Sequence, residues 1–368
     1  MTVALDVRPG AGPLPDGFAA VARAAWGDDP TWIPEEPAEL AGAFSAHNPW
    51  FRAGQATLAC APGRARAAGF WTPAPVEGEN AAFFGYFETT GDADAERAVL
   101  AHVAAWAREH GARRLYGPID FATALRYRVL LAHEPGALPF HGEPWTRPGI
   151  PAALEALGFA IARRYKSVLI PEATRDAACD GDRPAYQRCL AEGYRIESLT
   201  PARWLAEADR LHPLVDDIFA GNFAYSPIAR PQFDAMCGAD FAARFDPEVS
   251  TIAYAPDGAI AGVYLIYPHY GPLLVQGAGA ARVAAARIRF AEHFQALGKV
   301  AQVFKTLGVA RAQRSRGVAS ALVFAGFERG RGRYQGSIAA LMREDNRTVT
   351  MSPPGSHERW YGLYSKPI

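Results

Sequence analysis

The chain has 368 residues and a mass of 39.7 kDa, which suits two domains better than one. Lysine plus arginine number 38 and aspartate plus glutamate 38, so the formal charge is zero. That excludes a chain whose main task is to coat DNA or an anionic membrane surface. Hydrophobic residues at 49% and charged residues at 21% are globular values. Cys60, Cys179, Cys189 and Cys237 lack CxxC spacing and read as reduced thiols of a cytoplasmic protein. The first residues show no basic start followed by an apolar run, and no apolar stretch is long enough to span a bilayer.

In chain order, the aromatic-rich run Ala81 to Glu88 reads as a strand. A helix follows, with Val99, Leu100, Val103, Trp106 and Ala107 on one face, Asp92 or Asp94 as cap and Gly111 as stop. Residues 113–119 then read as another strand, and Arg163 to Ile170 closes this half. The Pro- and charge-rich stretch from Pro171 to Pro184 is the linker expected between domain 1–170 and domain 186–368, with 171–185 between them. In the second half a strand is expected from Arg195 to Thr200 and another from Val300 to Val309. A helix then ends near Gly330, residues 336–342 form a strand, and 359–366 close the chain. The insertion from Pro268 to Lys299 carries Arg282, Arg287 and Arg289 and reads either as a lid or as a solvated helix. The shared order of strand, turn, helix and strand points to a repeated α/β unit more than to one large sheet.

The turn after Val309 carries the most chemistry. Arg314, Ser315, Arg316, Gly317, Val318 and Ala319 fit the pattern Q/R-x-x-G-x-G/A at the start of a helix. A helix N-terminus leaves amide N–H groups unpaired and carries partial positive charge, so it attracts phosphate. Gly317 and Ala319 let a bulky pyrophosphate reach the backbone, and Arg314 and Arg316 offer forked bonds to its oxygens. Two arginines at one helix start are mismatched electrostatically unless an anion joins them. The matching turn of the first half carries Asp92, Asp94 and Glu96, which complement the helix start and repel a diphosphate.

This segment resembles the acyl-CoA pyrophosphate loop of the GNAT acyltransferase superfamily, and the whole chain is similar to tandem-GNAT proteins. The resemblance implies an α/β (α+β) fold of two GNAT-like domains, each a mixed, largely antiparallel sheet flanked by helices, the first one degenerate. It implies a cofactor-binding set of Leu307, Gly308 and Val309 on a splayed strand, Arg314 to Ser320 in the loop (Arg314, Ser315, Arg316, Gly317, Val318, Ala319, Ser320), and Asn346 beyond the next strand. The implied activity is transfer of an acetyl group from acetyl-CoA, or another acyl-CoA, to a small amine. The amine attacks directly, with a backbone N–H at Val309 facing the oxyanion and no metal. The splayed strand carries Lys305 where the family often has a carboxylate, so Glu344 and Asp345 are the expected bases. Tyr364 is the expected acid toward the thiolate, with Tyr361 nearby on the opposite face of the strand pattern. Asn222, Phe223 and Tyr225 match the region that lines the acceptor cleft in such proteins. Two other readings stand beside this one: a non-catalytic CoA-binding or ligand-binding protein, and a transferase whose donor is acyl carrier protein or aminoacyl-tRNA.

Gly277 and Gly279 hint at a dinucleotide loop, but the third small position is Arg282 and no acidic residue follows about 20 residues on. No GxxxxGK[ST], HExxH or GxSxG motif occurs, and the histidines lack metal-ligand spacing.

Overall fold

The computed structural model describes residues 3–275, 282–345 and 352–368. In the first half the elements are β1 (Asp6–Pro9), α1 (Phe18–Trp26), α2 (Pro37–Ala43), β2 (Gln55–Ala61), β3 (Ala65–Trp71), β4 (Ala81–Thr89), α3 (Ala93–Glu109), β5 (Arg114–Gly117), β6 (Val129–Leu130), α4 (Ile150–Ala156) and β7 (Ala160–Pro171). They are followed by α5 (Glu172–Asp180), α6 (Arg183–Ala191), β8 (Arg195–Ser198), α7 (Pro201–Ala206), α8 (Ala208–Phe219), α9 (Arg230–Cys237), α10 (Ala239–Ala242), β9 (Thr251–Tyr254) and β10 (Ile260–Pro268). Last come α11 (Gly271–Leu274), α12 (Phe290–His293), β11 (Gln302–Val309), α13 (Val318–Arg329), β12 (Gly336–Arg343) and β13 (His357–Pro367).

Helix α3 shows how local sequence fixes an element. Its periodic face, Val99, Leu100, Val103 and Ala107, is buried on the sheet, and the Asp92 carboxylate accepts from the N–H groups of Asp94 and Ala95. The β4–α3–β5 and β11–α13–β12 units each make a parallel pair, β4 with β5 and β11 with β12. The other neighbours in the sheet are antiparallel, and each half has its own apolar clusters.

The halves are not closed separately. One sheet runs β1-β2-β3-β4-β5-β13-β7-β12-β11-β10-β9-β8, with β6 added on β13. The last strand of the first half, β7, pairs with β12 of the second, and the final strand of the chain, β13, pairs with β5 of the first. Sequence order predicts that β7 and β13 finish their own halves; the structure exchanges them, and this makes the sheet continuous.

The stretch 171–185 carries α5 and the start of α6 rather than open chain. Arg175, 2% exposed, holds α5 down by donating to the Tyr334 and Gly336 carbonyls. Among its described residues the 268–299 insertion contains single helical turns, α11, Ala285–Arg287, α12 and Gln295–Leu297, and its residues 276–281 lie outside the described ones. Arg282, Ala284 and Arg287 line a cleft with Arg23, Trp32 and Glu36 of the first half.

Candidate functional site

The pairing of β11 with β12 lasts three residues, Gln302 with Ser337, Val303 with Ile338 and Phe304 with Ala339, and then the strands diverge. On its other edge β11 stays bonded to β10 through Val309, with a bulge that leaves Lys305 unmatched between Phe304 and Thr306. From Lys305 to Gly308 the β12-facing edge of β11 has no strand partner among the described residues. Its backbone groups can therefore bond to an extended ligand. Gly308 is required here, because a Cβ would stand 2.2 Å from Ile218 Cδ1 of α8. Leu307 is exposed at 40%, an apolar surface on the same edge.

Beyond Val309 the chain makes a single turn (Arg311–Gln313) whose Arg311 N–H donates to Asp217 Oδ2 at 2.6 Å. Ser315 and Gly317 both take left-handed backbone, with φ of 65° and 83°. Gly317 starts α13 with no side-chain cap and no acidic residue in the first turn. The Cys189 thiol of α6 packs against the Arg316 carbonyl at 3.7 Å. Arg188 of α6 also comes close, its Nη2 3.8 Å from where a Cβ at 317 would be. Arg314 crosses back to the Val309 carbonyl at 3.3 Å, and the Ser320 hydroxyl bonds to Asp182. The structure thus brings Leu307, Gly308, Val309 and Arg314 to Ser320 into one continuous tract: a bare strand edge leading to an uncapped helix start with Arg188, Arg314 and Arg316 around it. That combination suits an anion with a long neutral arm.

The first half repeats the geometry and fills it. β4 and β5 also pair over three residues, Ala81 to Phe83 with Arg114 to Tyr116. Into the gap the chain sends its own segment after Gly117. Ile119 N–H donates to the Phe84 carbonyl at 2.7 Å, and the Asp120 carboxylate accepts from Tyr86 N–H at 2.7 Å. Gly85 has no room for a Cβ, which would meet the Ile119 carbonyl at 2.4 Å. Further along β4, Glu88 is buried beside Arg66, Arg126, Glu35 and Arg147, and burial lifts its carboxyl to about 7. The α3 start is closed by Asp92, itself held by Arg64 Nε at 2.6 Å.

The remaining expected residues are dispersed. Tyr364 lies on the part of β13 that pairs with β5, is 0% exposed in the first-half core, and donates to Glu155 Oε1 of α4 at 3.3 Å. It is not brought to the splayed strand of the second half. Glu344 and Asp345 are exposed beyond β12; Glu344 meets the Arg164 backbone, and the Arg343 guanidinium holds the Asp345 carboxyl low, which makes it a poor proton acceptor. Asn346 lies outside the described residues. Phe223 is buried against Tyr116 of the first half, centroids 5.0 Å apart, and the Tyr225 hydroxyl donates to Asp216. The Asn222 N–H is spent on the Phe219 carbonyl.

A polar cluster that sequence reading did not find sits where the halves meet. The first-half loop His141–Gly142–Glu143 reaches the second half at three successive residues. His141 Nε2 lies 3.4 Å from Arg244 Nη1. A Cβ at Gly142 would stand 3.2 Å from Lys305 Nζ, and φ at Gly142 is 76°. The Glu143 carboxylate accepts from Arg359 at 3.1 and 3.2 Å and from the Tyr361 hydroxyl. Burial, reinforced by Arg128 and opposed by Glu143, pulls the Lys305 ammonium down to about 8. Burial, then Arg244 and Lys305, hold His141 down to about 3, so it is neutral at physiological pH. The available signals were Lys305 as the one charged residue of β11 and the glycine between two ionisable residues.

Among the described residues, no group of three or more His, Cys, Asp and Glu could hold a metal ion, and no helix is long and apolar enough to cross a membrane. No protein-family model matches the chain, and no curated protein matches it by sequence. Solved structures match in fold. A tandem GNAT protein from the clavulanic acid biosynthesis pathway superposes with a TM-score of 0.52 at 14% identity, over 99% of this chain and 98% of that one. A GCN5-related glucosamine N-acetyltransferase region from a fungal multi-domain GH3 β-N-acetylglucosaminidase gives 0.51 at 13% identity, over 99% of this chain and 38% of that one. Taken with the two splayed parallel pairs, these likenesses give the chain the tandem GNAT fold.

Proposed function

We propose that this chain is an acyl-CoA-dependent N-acyltransferase, with acetyl-CoA bound by the second half and a small amine as acceptor. One observation carries the reading: the same splay and helix start occur twice, and the chain plugs and caps the first, whereas among the described residues the second has neither a strand partner on its open edge nor a side-chain cap. The uncapped N–H groups of Val318, Ala319 and Ser320, with Arg314, Arg316 and Arg188, would hold the diphosphate. The bare edge of β11 would bond to the pantetheine arm, and the exposed Leu307 would lie along it. The co-substrate supplies an activated thioester. The protein orients it against the amine and offers backbone N–H at the bulge and beyond, Val309 included, to the charge that develops on the carbonyl oxygen. Asp217 accepts from the Arg311 N–H and so holds the turn after β11 in place.

The test is acetyl-CoA binding by calorimetry to the wild type and to Gly317→Asp. An aspartate there would set a carboxylate where the diphosphate is proposed, at a left-handed φ of 83° that also strains an L side chain. Loss of two charge-assisted bonds, about 1.5–3 kcal/mol each, predicts at least a hundredfold weaker binding. Undiminished binding would remove the loop from the site.

A second reading is a CoA-binding protein without turnover. It is favoured by the position of Tyr364 in the first-half core and by a splayed strand that carries no carboxylate. Thiol release across a panel of amines separates the two: tight acetyl-CoA binding with no release for any amine supports the second reading.

A further inference from the structure

The seam between the halves holds more positive charge than it balances. Arg359 is matched by Glu143. Among the described residues, Lys305, Arg128 and Arg244 have no carboxylate within ion-pair distance. Arg128, 6% exposed, is stacked between the rings of Tyr127 and Tyr165, 3.6 and 4.0 Å from their centroids. Its Nη2 donates to the Tyr127 hydroxyl, but among the described residues its Nε has no hydrogen-bond partner, and neither does Arg244 Nε. The neighbouring imidazoles bring no counter-charge: His141, whose Nε2 faces Arg244 Nη1, and His269 are held neutral, the latter pulled down to about 4 by burial and Arg359. Cations shielded from water without a counter-charge are costly, and donors left open on them ask for an acceptor.

That acceptor is not the diphosphate. Lys305 stands at the root of the splay and Val309 at its far end, four residues or about 13 Å along the strand. The phosphates belong past Val309, at α13, so the seam cations face the thioester end, where an acceptor amine must arrive. We infer that the acceptor is an amine that also carries a carboxylate, and that Lys305 and Arg128 hold that carboxylate at the seam between the halves. The inference rests on the acyltransferase reading above and adds the substrate class to it. It also gives the first half a part in the site, since Gly142 of the loop 141–143 lies against the Lys305 ammonium. The low Lys305 basicity fits, because a bound carboxylate would favour the ammonium form.

The experiment uses the full chain with acetyl-CoA and paired acceptors that differ only in the carboxylate: phenylalanine with phenethylamine, tyrosine with tyramine, lysine with cadaverine. Thiol release is expected at least tenfold faster, as kcat/KM, for the amino acid of a preferred pair. Lys305→Gln is expected to raise the amino-acid KM about 10–100-fold while the KM for acetyl-CoA stays within twofold, and to erase the preference within the pair. Arg128→Gln probes the second cation. Because it is buried, its reading counts only if its melting curve stays cooperative; Lys305→Gln and Lys305→Met, at a half-buried position, decide otherwise. Equal or faster turnover of the decarboxylated amines, or an unchanged preference in Lys305→Gln, overturns the inference. If no amine reacts although acetyl-CoA binds, the acyltransferase reading has failed. Calorimetry with the same amino acids then decides the anion site: binding that needs both the carboxylate and Lys305 keeps it, and its absence removes it.

Discussion

Lys305 offers a test of the seam that needs neither acceptor nor co-substrate. Its ammonium, ordinarily titrating at 10.5, is pulled down to about 8 by burial and by Arg128. At about 1.4 kcal/mol per pH unit that fall corresponds to about 3 kcal/mol, discounted to about 2–3 for a half-buried group. The sign follows from proton counts. Below pH 8 the lysine is charged in both states, and the folded state bears the cost. Between about 8 and 10.5 the unfolded chain keeps the proton that the folded one has lost, so native stability climbs with pH. Above 10.5 both states are neutral and the cost is gone. Lys305→Met keeps the length of the stem and removes the charge, so it should be more stable than the wild type by about 2–3 kcal/mol at pH 7. That advantage should shrink steadily from pH 8 and nearly vanish by 10.5. Urea midpoints of both proteins measured side by side at pH 6, 7, 8, 9 and 10 provide the comparison, and the difference cancels tyrosines and cysteines that titrate in the same range. A gap that does not change with pH, or a methionine variant less stable at pH 7, would refute the claim that this ammonium is held without a partner.

Other perturbations separate the roles of the two halves. Asp92→Ala removes the cap of α3 and the partner of Arg64, so the melting temperature should fall by an amount corresponding to about 1–2 kcal/mol while acetyl-CoA affinity is unchanged; weaker affinity would show that the first half takes part in co-substrate binding. Tyr364→Phe deletes one hydroxyl–carboxylate bond to Glu155 within the first-half core, so thiol release should persist at the wild-type rate with at most about 1 kcal/mol of stability lost, and a collapse of turnover would contradict its position. Glu88, lifted to about 7 by burial, keeps its proton in the folded state after the unfolded chain has lost it; stability should therefore decline between about pH 4.5 and 7, and Glu88→Gln should flatten that decline in thermal melts.

What could be read from the chain was local. The strand ending at Val309, the arginine-bearing turn and the helix through Arg329 lie within some thirty residues, and their pattern follows from what a helix start does to a neighbouring anion. Asp92 against Gly317 was legible for the same reason, since a cap is chosen within one turn. The partners of β7 and β13 were not legible, because both strands alternate in a way that fits either half, and only the assembled sheet decides which edge each joins. Alternation puts Tyr361 and Tyr364 on opposite faces of β13, but which core each face meets, the seam for Tyr361 and the first-half core for Tyr364, is settled only by the assembled sheet. Glu143 and Arg359 are 216 residues apart, and nothing in either neighbourhood names the other. Lys305 was visible as a departure from the expected carboxylate, but its loss of solvent and its approach to Gly142 depend on a loop from the other half.

The strand exchange explains why a half that has closed its own cleft is retained in the architecture. A parallel pair that separates after three residues needs each member held on its outer edge, or the two would zip together. β10 holds β11 from Gln302 to Val309, and β7 holds β12 from Gly336 to Arg343. The second of these clamps comes from the first half. The same exchange carries β13 between the halves, and with it Arg359 and Tyr361, which fix Glu143 and so the loop that meets Lys305. The opening of the second cleft and the charge at its root therefore depend on the first half, even though that half keeps its own strand edge occupied and its own helix capped.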